Sequence, residues 1–154
     1  MEENEYRSSY NKLVDYPCVF AKAINSTSCS CQQVRKIQIA DRIALNCSNA
    51  NDHQHCTALI KKLRTAAQFV LHMPDIAGTL PHNKEIQVQI GGIRGIAMML
   101  NHHKDVNKPD IHEIYTQAID TFGDLDKLPY SEIVRYILQS KRRKRRSRKN
   151  DEND

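Results

Sequence analysis

All five cysteines of this 154-residue chain fall between Cys18 and Cys56, and the 98 residues that follow contain none. The spacing is Cys18-x10-Cys29-x-Cys31-x15-Cys47-x8-Cys56, with His53 and His55 beside the last thiol. Thiolates suit zinc and iron–sulfur clusters, and five thiols in 39 residues is a density at which four can surround one ion or cluster. The pattern has neither the paired C-x2-C of zinc ribbons nor a ferredoxin spacing. Residue type therefore argues for metal more strongly than spacing does. Two readings need no metal: a reversible Cys47–Cys56 disulfide, or thiols that serve as small core residues. In a reducing compartment, clustered cysteines are more often metal ligands or redox centres than structural bridges.

A second chemical feature closes the chain. Lys141, Arg142, Arg143, Lys144, Arg145, Arg146, Arg148 and Lys149 place eight cations in nine residues. Such a run attracts anions through counterion release, so nucleic acid or an acidic protein is the expected partner. No aromatic side chain interrupts the run to stack on bases, which argues against sequence-specific reading of nucleic acid. Residues 1–140 carry 15 basic and 15 acidic side chains, so the net charge of +5 belongs to the tail.

Other constellations are weaker. Gly91-Gly92-Ile93-Arg94-Gly95 lacks both the dinucleotide and the P-loop patterns and reads as a tight turn. His102, His103, Asp105, His112 and Glu113 read as solvated polar residues, and Met98-Met99 as core filler. No nucleophile elbow, carboxylate pair or nucleotide signature is present, so an enzyme assignment has no site to rest on. Met1–Asn11 is polar, so no signal peptide is expected, and no apolar run is long enough to span a membrane. The expected compartment is the cytoplasm, or the nucleus in a eukaryotic host.

The elements that position the thiols follow from periodicity. From Gln32 to about Asn46, Val34, Ile37, Ala40 and Ala44 share one helical face, which Ile39 and Ile43 widen. Cys47–Asn51 breaks that pattern. Asn51 or Asp52 can cap a second helix, Asp52–Met73, ended by Pro74, with Leu59, Leu63, Ala66, Ala67 and Val70 inward. The two form an antiparallel helical hairpin. A continuous first helix, roughly 20 Å long at ~1.5 Å per residue, separates Cys31 from Cys47. Two small sites result: Cys18, Cys29 and Cys31 with His72, and Cys47 and Cys56 with His53 or His55. A single site requires the first helix to be shorter or broken.

Downstream, Asp75–Asn83 reads as a loop, and Lys84–Ile90 alternates as a strand with Ile86, Val88 and Ile90 on one side. A short helix over Ile93–Asn101 follows, then a polar connection over His102–Pro109. Asp110 caps a helix ending at Phe122 with Gly123 at C′, and Pro129 opens the last helix with Ile133, Val134, Ile137 and Leu138 inward. The expected fold is mainly α: a loosely held arm over 1–15, a single five-helix domain over 16–140 with at most one short strand, and a disordered basic tail over 141–154. The expected function is a small cytoplasmic accessory protein binding zinc or an iron–sulfur cluster in a redox, sensory or assembly role. The alternative is a non-enzymatic binding module that docks through its tail.

Overall fold

Val34 to Cys47 do not form a helix. In the computed structural model, which describes residues 2–73, 80–101 and 107–140, they form an antiparallel β-hairpin of β1 (Val34–Ile39) and β2 (Arg42–Cys47). The register runs from Val34 opposite Cys47 to Ile39 opposite Arg42. The two residues between the strands, Ala40 and Asp41, make the turn, with Ala40 at φ 55°. A left-handed alanine costs about 1–2 kcal/mol. The β-branched Val34, Ile37, Ile39 and Ile43 favour extended backbone over helix, and that preference outweighs the helical spacing of the same residues.

The described residues also form six α-helices: α1 (Glu3–Leu13), α2 (Ala21–Asn25), α3 (Ala50–Ala67), α4 (His82–Leu100), α5 (Ile111–Phe122) and α6 (Tyr130–Gln139). The chain is mainly helical, as expected, but with six helices rather than five. Residues read as a loose arm form α1, which lies on the hairpin. Tyr6 and Tyr10 pack there against a small cluster of Val14, Ile39 and Ala44. The Arg42 guanidinium sits 4.3 Å over the Tyr6 ring and 3.1 Å from Glu3 Oε2. The second helix of the expected hairpin is present as α3, which starts earlier and ends at Ala67 rather than Met73, with Asn49 as its cap accepting from Asp52 N at 3.1 Å.

The strand expected over Lys84–Ile90 is the first half of α4, and Gly91-Gly92 is helix interior rather than a turn. Alternation there has a different origin from a sheet's two faces. Glu85, Gln87 and Gln89 are buried together with Ile86 and Val88, and each polar group has a partner. Glu85 receives Arg64 Nε at 3.0 Å and Nη2 at 2.6 Å. Gln87 Nε2 donates to the Ile137 carbonyl, 2.9 Å, and Gln89 joins Val19 O and Ala23 N at 3.0 Å each. Helix α4 is thus central, with polar as well as apolar residues facing the interior, and these hydrogen bonds remove the cost of burying them.

The main core gathers Phe20, Leu59, Leu63, Val88, Ile93, Ile96, Ile133 and Ile137 around α4. Helix α6 crosses α4 at Gly91, so closely that an added Cβ would run into Ile137 Cα. Helix α5 matches its sequence signals: Asp110 caps it, accepting from Glu113 N at 3.0 Å, and Gly123 ends it at φ 95°. In α6 Ile133 and Ile137 are buried, whereas Val134 is half-buried and Leu138 exposed. No helix among the described residues is long and apolar enough to cross a membrane.

Candidate functional site

The hairpin sets the positions of the thiols. Cys47 ends β2 opposite Val34, which begins β1, and Val34 N donates back to the Cys31 carbonyl at 3.2 Å. Cys31 and Cys47 therefore sit at the same open end of the hairpin. The segment Tyr16–Cys18 runs beside β2: Cys47 N donates to Tyr16 O at 2.7 Å, and Cys18 N to Leu45 O at 3.0 Å. Tyr16 N is fixed to Asn46 Oδ1 at 2.8 Å. Helix α3 starts three residues after β2, so Cys56, in its second turn, returns to the same place.

Cys18, Cys31, Cys47 and Cys56 thereby line one cavity of about 20 Å³, with Asp52, His53, Ile111 and His112 among its other walls. This reverses the expectation that Cys31 and Cys47 lie far apart. With the first helix replaced by a hairpin, the separation it imposed disappears, and so does the division into two sites. Cys29 does not join the other four. It is fully buried in the main core, on the side of Arg94.

The histidines divide as well. His53 lines the cavity, and its Nε2 donates to the Pro17 carbonyl at 3.0 Å. His55 lies outside the lining and stacks on Tyr115 at 5.2 Å. His72, exposed beyond the far end of α3, is remote from the cavity lining. His112, read from sequence as a solvated residue, is the addition: it accepts at Nδ1 from Gln32 Nε2, 3.0 Å, and approaches Asp52 Oδ2 at 3.4 Å. Its part was not visible in spacing, because 56 residues separate it from Cys56. His102, His103 and Asp105, like the basic run Lys141–Lys149, lie outside the described residues.

Backbone donors converge on two of the sulfurs. The N–H of Phe20 points at Cys18, and those of Gln33 and His112 point at Cys31. His112 is in the first turn of α5, where helical N–H groups have no carbonyl partner and favour negative charge. Two backbone hydrogen bonds lock that turn in place: Ser30 N to Pro109 O, 3.0 Å, and Ile111 N to Ser30 O, 2.8 Å. Against these donors, burial raises the thiol pKa values, Cys18 to about 11 and Cys56 to about 12, and the neighbouring thiols push in the same direction. Cys31 is raised by burial too, and Cys29 to about 12. Cys18, Cys29, Cys31 and Cys56 are therefore neutral at neutral pH unless something replaces their protons. Cys47 Sγ donates to Asn49 O at 3.2 Å.

A pH dependence follows. Each of these folded-state values lies above the ordinary 9.0. Their contribution to stability is complete below about pH 9 and is lost as pH rises through 11 to 12. Tyr130, raised by burial to about 12, acts in the same sense. Denaturant midpoints of metal-free, reduced protein should hold from pH 7 to 9 and then drop steeply, in step with thiolate absorbance. A midpoint that rises above pH 9 would contradict this burial.

Among the described residues, no three His, Cys, Asp and Glu side chains stand in the arrangement that a bound metal ion takes. The four sulfurs share a cavity without being drawn together. No family model, curated protein or solved structure matches the chain.

Proposed function

We propose that Cys18, Cys31, Cys47 and Cys56 bind one zinc ion, and that the chain is a small metal-stapled accessory protein rather than an enzyme. The observation that carries this reading is the convergence of four thiols from separate segments on one small cavity, with backbone N–H groups aimed at two of the sulfurs. Such donors stabilise sulfur as thiolate, the form that ligates metal. A set of four buried or half-buried cysteines, two of them with N–H donors, has the donor chemistry of a structural zinc site, in which four protein ligands leave no open position for substrate.

Size favours a single ion over a cluster. A cavity of about 20 Å³ has room for one water-sized body, whereas a cubane cluster brings four irons and four sulfides. Loss of the thiol protons supplies the ligand form, and it also ends the donation from Cys47 to Asn49 O, freeing that side chain to turn inward. His53 and His112 already have partners on Pro17, Gln32 and Asp52, which leaves the sulfurs as the donors. Metal binding at cysteines displaces their protons, so affinity rises with pH over the range in which the fold is stable.

Elemental analysis of protein purified under reducing, oxygen-free conditions tests the reading. One zinc per chain is expected. Replacing that zinc by cobalt should give the intense visible spectrum of a four-thiolate centre, lost in Cys31→Ser and retained in Cys29→Ser. Brown protein with iron and sulfide would transfer the site to a cluster. Metal-free protein that takes up neither zinc nor cobalt would end the proposal.

A further inference from the structure

Helices α4 and α6 pack closely at Gly91 and Gly95, and a cleft of about 300 Å³ lies between them. Its described walls are Arg94 and Met98 of α4, Tyr136 and Gln139 of α6, and Ser140, which ends α6. None of them is acidic. Arg94 is exposed and has no carboxylate partner among the described residues. Ser140 Oγ donates to Tyr136 O at 2.8 Å, but the Arg94 guanidinium, the Tyr136 hydroxyl and the Gln139 amide make no hydrogen bond to any described residue. A half-buried aromatic ring, a cation and an amide thus share one cleft with their polar capacity unused. Ser140 is also the last described residue, and the chain passes from it straight into Lys141–Lys149, eight cations in nine residues. That run has charge for phosphates and no aromatic ring for bases. Tyr136, five residues before Lys141, supplies a ring where the run begins.

We propose that the α4–α6 cleft is a binding site for single-stranded nucleic acid, in which Tyr136 stacks on a base and Arg94 holds an adjacent phosphate. None of these residues lines the thiol cavity, so the site stands or falls apart from the zinc reading. A guanidinium matches phosphate in charge and in hydrogen-bond geometry. Every base has a face for a tyrosine ring, so the stack tolerates any sequence. At about 300 Å³ the cleft is at the small end of ligand pockets, which run to roughly 300–1,000 Å³, and it takes one nucleotide of an open strand. A duplex hides its base faces inside its own stack, so a ring that must stack selects unpaired strand. Cations from Lys141 onward add affinity by releasing counterions from further phosphates. An acidic peptide would engage the same cations, but it brings no flat base for Tyr136. The ring is therefore what separates the two partners.

The test uses the full chain and two fluorescein-labelled strands of equal length and charge, oligothymidylate and an abasic phosphodiester, read by anisotropy at fixed salt. Oligothymidylate is expected to bind about tenfold more tightly than the abasic strand. Tyr136→Ala should abolish that preference without changing the abasic affinity, and Tyr136→Phe, which keeps the ring, should retain it. Arg94→Gln should weaken binding to both strands about threefold and lower the salt slope by about 0.7, the loss of one phosphate contact. Equal binding of the two strands, binding of neither, or a preference that survives Tyr136→Ala would overturn the inference. Tighter binding to polyglutamate than to oligothymidylate would overturn it in favour of an acidic protein partner.

Discussion

On the zinc reading proposed above, stripping the metal with a strong chelator is expected to loosen the β-hairpin, which stays formed, while α4 and α6 are little changed. A two-stranded hairpin alone is marginal in water, and this one has little else to hold it. Its own cluster is Val14, Ile39 and Ala44, flanked by Tyr6, Tyr10 and Ile37, and Ile43 is half exposed. The thiol centre joins its open end to α3 and to the Tyr16–Cys18 segment, so the binding energy of the proposed metal would be spent there. The α4–α6 pair draws on a separate core of Ile93, Ile96, Ile133 and Ile137. Hydrogen exchange should therefore show β1 and β2 amides losing protection by about a thousandfold, equivalent to ~4 kcal/mol of local stability. Amides of α4 should change by less than about tenfold. Equal loss in both regions would mean that the metal holds the whole fold, and no change in the hairpin would mean that it holds none of it.

The second large effect is expected at Gly91. Helix propensity alone favours Gly91→Ala by about 1 kcal/mol, so the sign of the outcome separates propensity from packing. A Cβ at this position would collide with Ile137 Cα and stand 2.9 Å from Ile137 N. Both are backbone atoms of α6, which cannot rotate away, so the helices must part. Overpacking of this kind costs about 1–3 kcal/mol and occasionally more. We expect a net loss of about 3 kcal/mol for Gly91→Ala and failure to fold for Gly91→Val, read from denaturant midpoints. Gly92→Ala should be milder, because the atoms it meets are the Leu63 side-chain methyls, the nearest at 2.6 Å. An alanine at 91 that stabilises the protein would show that α6 does not depend on this close approach.

What sequence disclosed of this fold depended on where each element's signals lie. Helix α5 was legible because its determinants are local: an Asp110 cap, an apolar stripe and Gly123 in a left-handed turn. The hairpin was not, because Val34, Ile37, Ala40 and Ala44 satisfy a helical period while Ile37 and Ile39 also alternate with Lys36 and Gln38. The turn gave no help, since Ala40-Asp41 lacks the Asn-Gly or Asp-Gly pair that marks a two-residue hairpin. At Lys84–Ile90 the opposite error arose from equating polar with exposed. Glu85, Gln87 and Gln89 are buried by partners 21 to 70 residues away, Arg64, Ile137 and Val19. Those partners leave no mark on the local pattern.

The candidate site was legible in its residue types and illegible in its assembly. Four of the five cysteines do gather, and sequence could not say which one stands apart. Cys29 is set aside by its place in the core, two residues from Cys31 but on the other side of the chain's link to α5. The number of sites turned on a single secondary-structure assignment. Once residues 34–47 become two strands, the distance argument that separated Cys31 from Cys47 runs the other way.

The link between Ser30 and the start of α5 also sets a schedule for synthesis. Cys31 receives its second N–H donor from His112, so the thiol centre is incomplete while only the first four helices have been made. Fifty-six residues separate Cys56 from His112, and at about 5–20 residues per second a ribosome needs roughly 3–11 s to add them. For that interval all four thiols exist and the pocket that shelters them is incomplete. The nascent chain's thiols are then most exposed to oxidants.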